Sequence, residues 1–173
     1  MEAVAHEMMD HIVRKPDVIN GYSVHRMVAE LVAGSPVLFC DNGDHMVIRT
    51  DKPITSTPRS LTVPAVGEII AFQLKACAAD RKGGRNIYPP LGDWRQRRSW
   101  LEAQGNKHGF EVLAVHVDGR KQIIVANGGR KFSIDASQFT GVLKITDAVS
   151  FSSALANGIG RVGKAFGMGM LII

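Results

Sequence analysis

Tyr22 and His25 stand three residues apart, a spacing that on a helix turns both side chains toward one substrate atom. An imidazole titrates near neutrality and can give or take a proton in phosphodiester cleavage, while a phenol hydroxyl can orient or share that proton. A second stretch with chemical potential is Gly158-Ile-Gly-Arg-Val-Gly-Lys-Ala-Phe-Gly-Met-Gly169. Its glycines let backbone N–H groups approach a phosphate, and Arg161 and Lys164 add charge. Two nucleotide-binding signatures fail here. A dinucleotide fingerprint through Gly158, Gly160 and Gly163 needs a preceding strand and a long βαβ unit, whereas a helical pattern precedes it and only an apolar end follows. A P-loop needs Ser or Thr after Lys164, and residue 165 is alanine.

The remaining cations fall into clusters suited to following the phosphates of a folded RNA. Arg81, Lys82 and Arg85 flank Gly83-Gly84; Arg95, Arg97 and Arg98 sit on an expected helix; Arg120, Lys121, Arg130 and Lys131 surround a second glycine pair. All of these except Arg97 are taken as RNA-binding candidates, with Arg161 and Lys164. Trp94, Tyr88 and Phe132 offer ring faces for a base, but core packing is the favoured use of these aromatics. His6-Glu7-Met8-Met9-Asp10-His11 has the wrong spacing for a metalloprotease pair: five residues separate the imidazoles, which diverge on a helix and oppose each other on a strand. No metal site or cofactor is expected. His108 and His116 lack a partner pattern and read as structural.

The elements that must position these groups come from 173 residues and 18.8 kDa, of which 45% are hydrophobic, enough for a buried core. A net charge of +5 and a pI near 9.5 favour an anionic partner, nucleic acid first. Cys40 and Cys77 are far apart and the N-terminus carries charge where a secretion signal needs an apolar core, which points to a reduced, cytoplasmic protein. No apolar run reaches the roughly 20 residues that span a bilayer, so no membrane partner is expected.

Residues 3–9 alternate loosely and predict a first strand. Val24, Met27, Val28 and Leu31 have helical spacing over residues 22–33, which Gly34 and Pro36 stop. Residues 36–40 and 45–49 predict a hairpin around Asp41-Asn42-Gly43-Asp44. A Pro/Ser/Thr-rich connection over residues 51–64 leads to a strand at 68–76, a basic loop at 80–90 and a helix at 94–107. Asp118-Gly119 between the runs 110–117 and 121–126 signals another hairpin. A strand follows at 139–145, then a helix at 148–157 capped by Asp147, and a final strand at 168–173. This order is that of paired ferredoxin-like (RRM-like) α+β units with antiparallel sheets, divided here as residues 1–90 and 91–173.

Tyr22-Ser-Val-His25, Phe72-Gln-Leu-Lys-Ala76 before a basic loop, Trp100-Leu101 leading to His108-Gly109-Phe110, and residues 139–147 joined to the glycine-rich close resemble the CasE (Cse3) repeat-RNA endoribonucleases of type I-E CRISPR systems. The resemblance covers most of the chain from Tyr22, and a divergent or type IV variant fits it too. It implies two ferredoxin-like domains that grip a CRISPR repeat stem-loop and cut its base without metal. The RNA's own 2′-hydroxyl would attack, leaving a cyclic phosphate and a 5′-hydroxyl, with His25 as general acid or base and Tyr22 as its partner. The implied partners are the repeat RNA, kept as mature crRNA, and the backbone subunits of an effector complex. The alternative is a catalytically weak or inactive subunit that only holds the crRNA hairpin.

Overall fold

The computed structural model describes residues 7–16 and 21–173. In chain order the elements are β1 (Met9–Arg14), α1 (Gly21–Leu31), β2 (Val37–Asp41), β3 (His45–Thr50), β4 (Arg59–Ser60), β5 (Ile69–Ala76), β6 (Asp80–Lys82), β7 (Arg85–Ile87), α2 (Trp94–His108), β8 (Phe110–Asp118), β9 (Lys121–Val125), β10 (Lys131–Asp135), β11 (Ser137–Ile145), α3 (Ala148–Asn157) and β12 (Leu171–Ile172). Two four-stranded antiparallel sheets, ordered β2-β3-β1-β4 and β12-β5-β11-β8, each carry helices on one face, as expected of two ferredoxin-like units.

In the first unit α1 and the turn that follows it lay Val24, Val28 and Val32 on Phe39, Met46 and Ile48 of β2 and β3. The buried row runs at four-residue spacing, so Val32 is inside and Leu31, expected in the core, is exposed. Ala33 and Gly34 turn the chain out of the helix in left-handed conformations. The β2–β3 hairpin forms as expected, with the Asp41 carboxylate accepting from the Gly43 N–H at 2.9 Å. Residues 3–6 of the expected first strand lie outside the described residues; the strand observed begins at Met9. It buries Asp10 and His11 and leaves Ile12 71% exposed, the reverse of a hydrophobic pattern.

In the second unit β5 buries Phe72, Leu74 and Ala76 against β11, and α2 and α3 close the core with Trp100, Leu101, Phe151 and Leu155. Asp93 caps α2 by accepting from the Gln96 N–H at 2.9 Å, Gly109 ends it in the left-handed region, and Asp147 caps α3 through Ser150 N–H at 2.8 Å. The expected boundary at residue 90 falls between β7 and α2, whereas sheet membership changes between β4 and β5: β5 is a strand of the second sheet.

Three local expectations give way. The basic segment at 80–90 is an ordered hairpin, β6 paired with β7 around Gly83-Gly84. β8 and β9 do not pair across Asp118-Gly119; β8 joins β11, and β9 pairs with β10 around a turn at Asn127–Gly129. Neither Asp118 nor Gly119 adopts the positive φ that a two-residue type I′ turn requires, and Gly119 sits where a Cβ would lie 2.5 Å from the Leu91 carbonyl oxygen. The closing strand shrinks to Leu171–Ile172, because residues 158–169 are spent on a looped excursion with a 3₁₀ turn at Lys164–Phe166.

That excursion is closed at its neck, where Ile159 N–H donates to Gly169 O at 2.8 Å and Gly169 N–H donates to Lys75 O at 2.7 Å. Gly169 has φ +91°, and a Cβ there would meet Ile159 O at 2.5 Å. Gly34 has a similar φ of +81° with nothing within 4 Å. Gly34→Ala is therefore expected to lose only the left-handed term, about 1–2 kcal/mol, and Gly169→Ala at least about 1 kcal/mol more through the clash. Urea denaturation of both variants measures the difference; equal losses would show that the neck yields freely. No helix among the described residues is long and apolar enough to cross a membrane.

Candidate functional site

Arg97 decides where the cationic elements stand. Its side chain is buried within α2, and its guanidinium donates to Ser137 Oγ at 2.6 Å, to Asp135 Oδ1 at 2.9 Å, and to the carbonyls of Pro89, Pro90 and Asp93. The Asp135 carboxylate accepts in turn from Ala78 N–H at 3.1 Å and Ser137 Oγ at 2.7 Å. A single buried ion pair thus ties together the root of the β6–β7 hairpin, the start of α2 and the end of β10. Arg97, a sequence neighbour of Arg95 and Arg98, is an internal strut, unlike them.

Beside this strut lies a groove of about 880 Å³ between α2, β6 and the glycine-rich excursion. α2 lines it with Gln96, Lys107 and His108, β6 with Arg81, and the excursion with Arg161 and Lys164. Four cations therefore converge on one concave surface, with Asp80 as the carboxylate among the lining residues. Such a surface concentrates a polyanion. The Lys164 ammonium donates to Asn157 O at 2.7 Å, and burial lowers its pKa. The His108 pKa is also lowered, first by burial and then by Lys107 and Lys164.

The glycine-rich excursion is held at both of its ends. The N–H groups of Gly158, Ile159, Phe166, Gly167, Met168 and Gly169 all bond within the protein, so the excursion holds its own shape. What it turns toward the groove is Gly160, Arg161, Val162 and Lys164. Gly163 allows the inner wall to close, since a Cβ would stand 2.7 Å from Cys77 Sγ. The Cys77 thiol is pushed up to about 12 by burial, with Asp135 adding to the shift, which leaves it unreactive at neutral pH.

Tyr22 and His25 both lie on α1 and are half-buried. α1 packs against the Lys164–Phe166 turn and against β9, so the excursion that lines the groove on one side supports this helix on the other. The cations separate into distinct surfaces. Arg81, Arg161 and Lys164 meet in the groove, with Lys82 and Arg85 exposed on the hairpin that carries Arg81. At 100° per residue from Gln96 and Lys107, Arg98 points from the opposite face of α2 and Arg95 from its flank. There Arg95 lies over the Trp94 ring, 4.5 Å from its centroid, and Arg98 pairs with Glu102 at 3.0 Å. Arg120 pairs with Asp118 at 2.6 Å, Lys121 lines a separate cavity of about 380 Å³ with Tyr88, and Arg130 and Lys131 are exposed beyond the β9 turn. Trp94 is exposed, while Tyr88 and Phe132 pack partly into the cluster of Ile124, Ile134 and Met168.

Lys107 and His108 were missed as groove residues by sequence reasoning. The only signal was helical spacing, with residues 96, 100, 103 and 107 on one face of α2, and nothing in one helix says which face meets a groove. His11, from the rejected metal pattern, is buried and shares a 2.7 Å hydrogen bond with Thr55 Oγ1; His6 lies outside the described residues. Among the described residues no three His, Cys, Asp or Glu side chains converge as metal ligands.

Two ferredoxin-like units, the second bearing a cation-lined groove, define a class of paired-domain α+β protein with a concave basic surface. More particularly, the chain belongs to the CRISPR associated protein family, whose pattern matches residues 42–173. That match takes in α2, the groove and the glycine-rich excursion and begins after α1. By fold the chain is similar to Cse3 of Thermus thermophilus bound to an RNA representing a pre-cleavage complex, with TM-score 0.79 and 19% identity over 96% of this chain and 98% of that one. It is similar also to the CRISPR-associated protein Cas6e of Escherichia coli K-12, with TM-score 0.72 and 20% identity over 95% and 97% of the two chains. A chain of a CRISPR RNA-guided surveillance complex matches with TM-score 0.73 and 19% identity over 95% and 97%. No curated protein matches the chain by sequence.

Proposed function

We propose that this chain is a CRISPR RNA-processing endoribonuclease that binds a repeat stem-loop and cuts it without a metal ion. The observation that carries the reading is the glycine-rich excursion itself, which packs on the helix bearing Tyr22 and His25 and turns Arg161 and Lys164 into a groove shared with Arg81 and Lys107. Family membership and the likeness in fold to an RNA-bound Cse3 support it.

In the proposed reaction the 2′-hydroxyl oxygen bonds to the adjacent phosphorus and the P–O5′ bond breaks. The proton lost from the 2′-hydroxyl and the proton gained by the 5′-oxygen pass through general acid–base groups, of which His25 is one and Tyr22 its positioning partner. Groove cations hold the stem and stabilise charge on the phosphate. The product keeps the stem-loop bound, and the chain then caps an effector complex through its backbone subunits, in the cytoplasm where transcript and complex meet. The two units divide, in this reading, within residues 61–68, where sheet membership changes.

The test is incubation with the repeat RNA of the neighbouring CRISPR array in EDTA. Cleavage to a 2′,3′-cyclic phosphate and a 5′-hydroxyl is expected, and a repeat with 2′-deoxyribose at the scissile nucleotide should bind but stay whole. Cutting of the deoxy substrate would exclude the internal attack; binding of both RNAs without cleavage would make the chain a crRNA-holding subunit.

A further inference from the structure

His108 is the last residue of α2 and opens onto the groove between Lys107 of its own helix and Lys164 of the excursion. A histidine at a helix C-terminus is ordinarily a cation that complements the carbonyl dipole. Here the surroundings oppose that role. The groups around the groove are Gln104 and Lys107 from α2, Asn157 at the end of α3, Arg161 and Lys164 from the excursion, and Asp80 and Arg81 from β6. Glu102 of α2 and Glu111 of β8 line a different cavity with Phe110, and Asp147 is occupied in capping α3. The ring is thus partly desolvated among cations, in a place shaped for an anion.

We propose that His108 is a phosphate-binding residue of this groove that takes up a proton as RNA binds, so that affinity for a stem-loop rises as pH falls. The proposal rests on the RNA reading above and adds a residue and a linkage to it. The sign follows from the charges. In the free protein burial, Lys107 and Lys164 hold the His108 pKa below its ordinary value, so the ring is neutral at pH 7. A phosphate beside it cancels the lysines' repulsion and favours the imidazolium, which raises the pKa in the complex. Between the two values binding consumes a proton, and lowering the pH strengthens it. Below the free-protein value the ring is already charged and the gain stops.

Binding is read with a labelled repeat stem-loop on the full chain carrying His25→Ala, which slows cleavage and removes the other candidate proton donor. The expected result is several-fold tighter binding at pH 6 than at pH 8, tenfold being the ceiling for each unit by which binding raises the pKa, and loss of most of that dependence in His108→Gln. Calorimetry on the same protein without the His108 change, in buffers of differing ionisation enthalpy, should register net proton uptake near pH 7. A pH dependence that survives His108→Gln, or no proton uptake, overturns the proposal. A separate arm, Lys107→Ala with Arg161→Ala, is expected to lower the slope of log affinity against log salt by about 1 for each cation. An unchanged slope there would sink the groove as the RNA site, whatever His108 does.

Discussion

The His25→Ala variant is expected to cleave repeat RNA about 10²–10⁴-fold more slowly than the parent while binding it within a few-fold as tightly. The magnitude is that of one positioned acid–base group, and the separation of rate from binding follows from location. His25 is on α1, whereas the cations proposed to hold the stem are contributed by α2, β6 and the excursion. Its backbone position is fixed by a helix whose buried row, Val24, Val28 and Val32, does not include it. Removing the imidazole should therefore leave the fold intact, which a thermal melt would verify. Single-turnover cleavage and equilibrium binding, measured side by side, provide the check. Unchanged cleavage would take His25 out of the mechanism, and a parallel loss of binding would make it a contact to RNA. Tyr22→Phe keeps the ring and removes the hydroxyl, so a fall in rate without a change in affinity is expected if the hydroxyl places the proton.

The second large effect is on stability. Arg49 of β3 is 0% exposed, and its guanidinium meets Asp10 of β1 through two parallel bonds, Nε to Oδ1 at 2.7 Å and Nη2 to Oδ2 at 2.8 Å. Its Nη1 crosses to the second unit and donates to Leu155 O at 3.0 Å and Leu171 O at 2.9 Å. The pair bolts the first sheet to the end of α3 and to β12, beside the apolar contact of Leu38 and Cys40 with Met170. Arg49→Met is expected to lower the unfolding free energy by about 3–5 kcal/mol, because it strands a buried carboxylate and leaves two carbonyls without their donor. That is a large part of the ~5–15 kcal/mol that a domain has in all. Pairing it with Asp10→Leu removes the stranded charge, so the double variant should be more stable than Arg49→Met alone. Denaturant titration of the parent, the two single variants and the double variant decides it. A double variant that loses the sum of the singles would mean that the carbonyl contacts, rather than the ion pair, hold the units together.

Both sites show how far the chain could be read without its structure. α1, the β2–β3 hairpin, β5, α2 and α3 were legible because each advertises itself within a few residues: helical spacing of Val24, Met27 and Val28, a turn with Asp41 and Gly43, alternating Phe72 and Leu74, Trp100 and Leu101 ahead of Gly109, and a cap at Asp147. Tyr22 and His25 were legible as a pair for the same reason, since their spacing needs one helix only. β1 was not, because it places Asp10 and His11 inside to meet Arg49 and Thr55 and turns Ile12 outward. The Asp118-Gly119 signal misled because a local turn preference of a kcal/mol or so yielded to the close approach of Leu91 at Gly119 and to β8's pairing with β11.

Charge was the least legible property. Arg95, Arg97 and Arg98 stand within one turn of α2, yet one covers a tryptophan ring, one is a buried strut and one pairs with a glutamate four residues on. Local sequence therefore decided the helices, most strands, the positive charge and the Tyr22–His25 pair, because propensity, periodicity and capping act over about four residues. Tertiary structure alone decided which cations share the groove, that Lys107 and His108 join them, and that Arg49 bolts the two units. The reason is distance along the chain: Arg49's carbonyl partners lie 106 and 122 residues away, beyond anything a local pattern encodes.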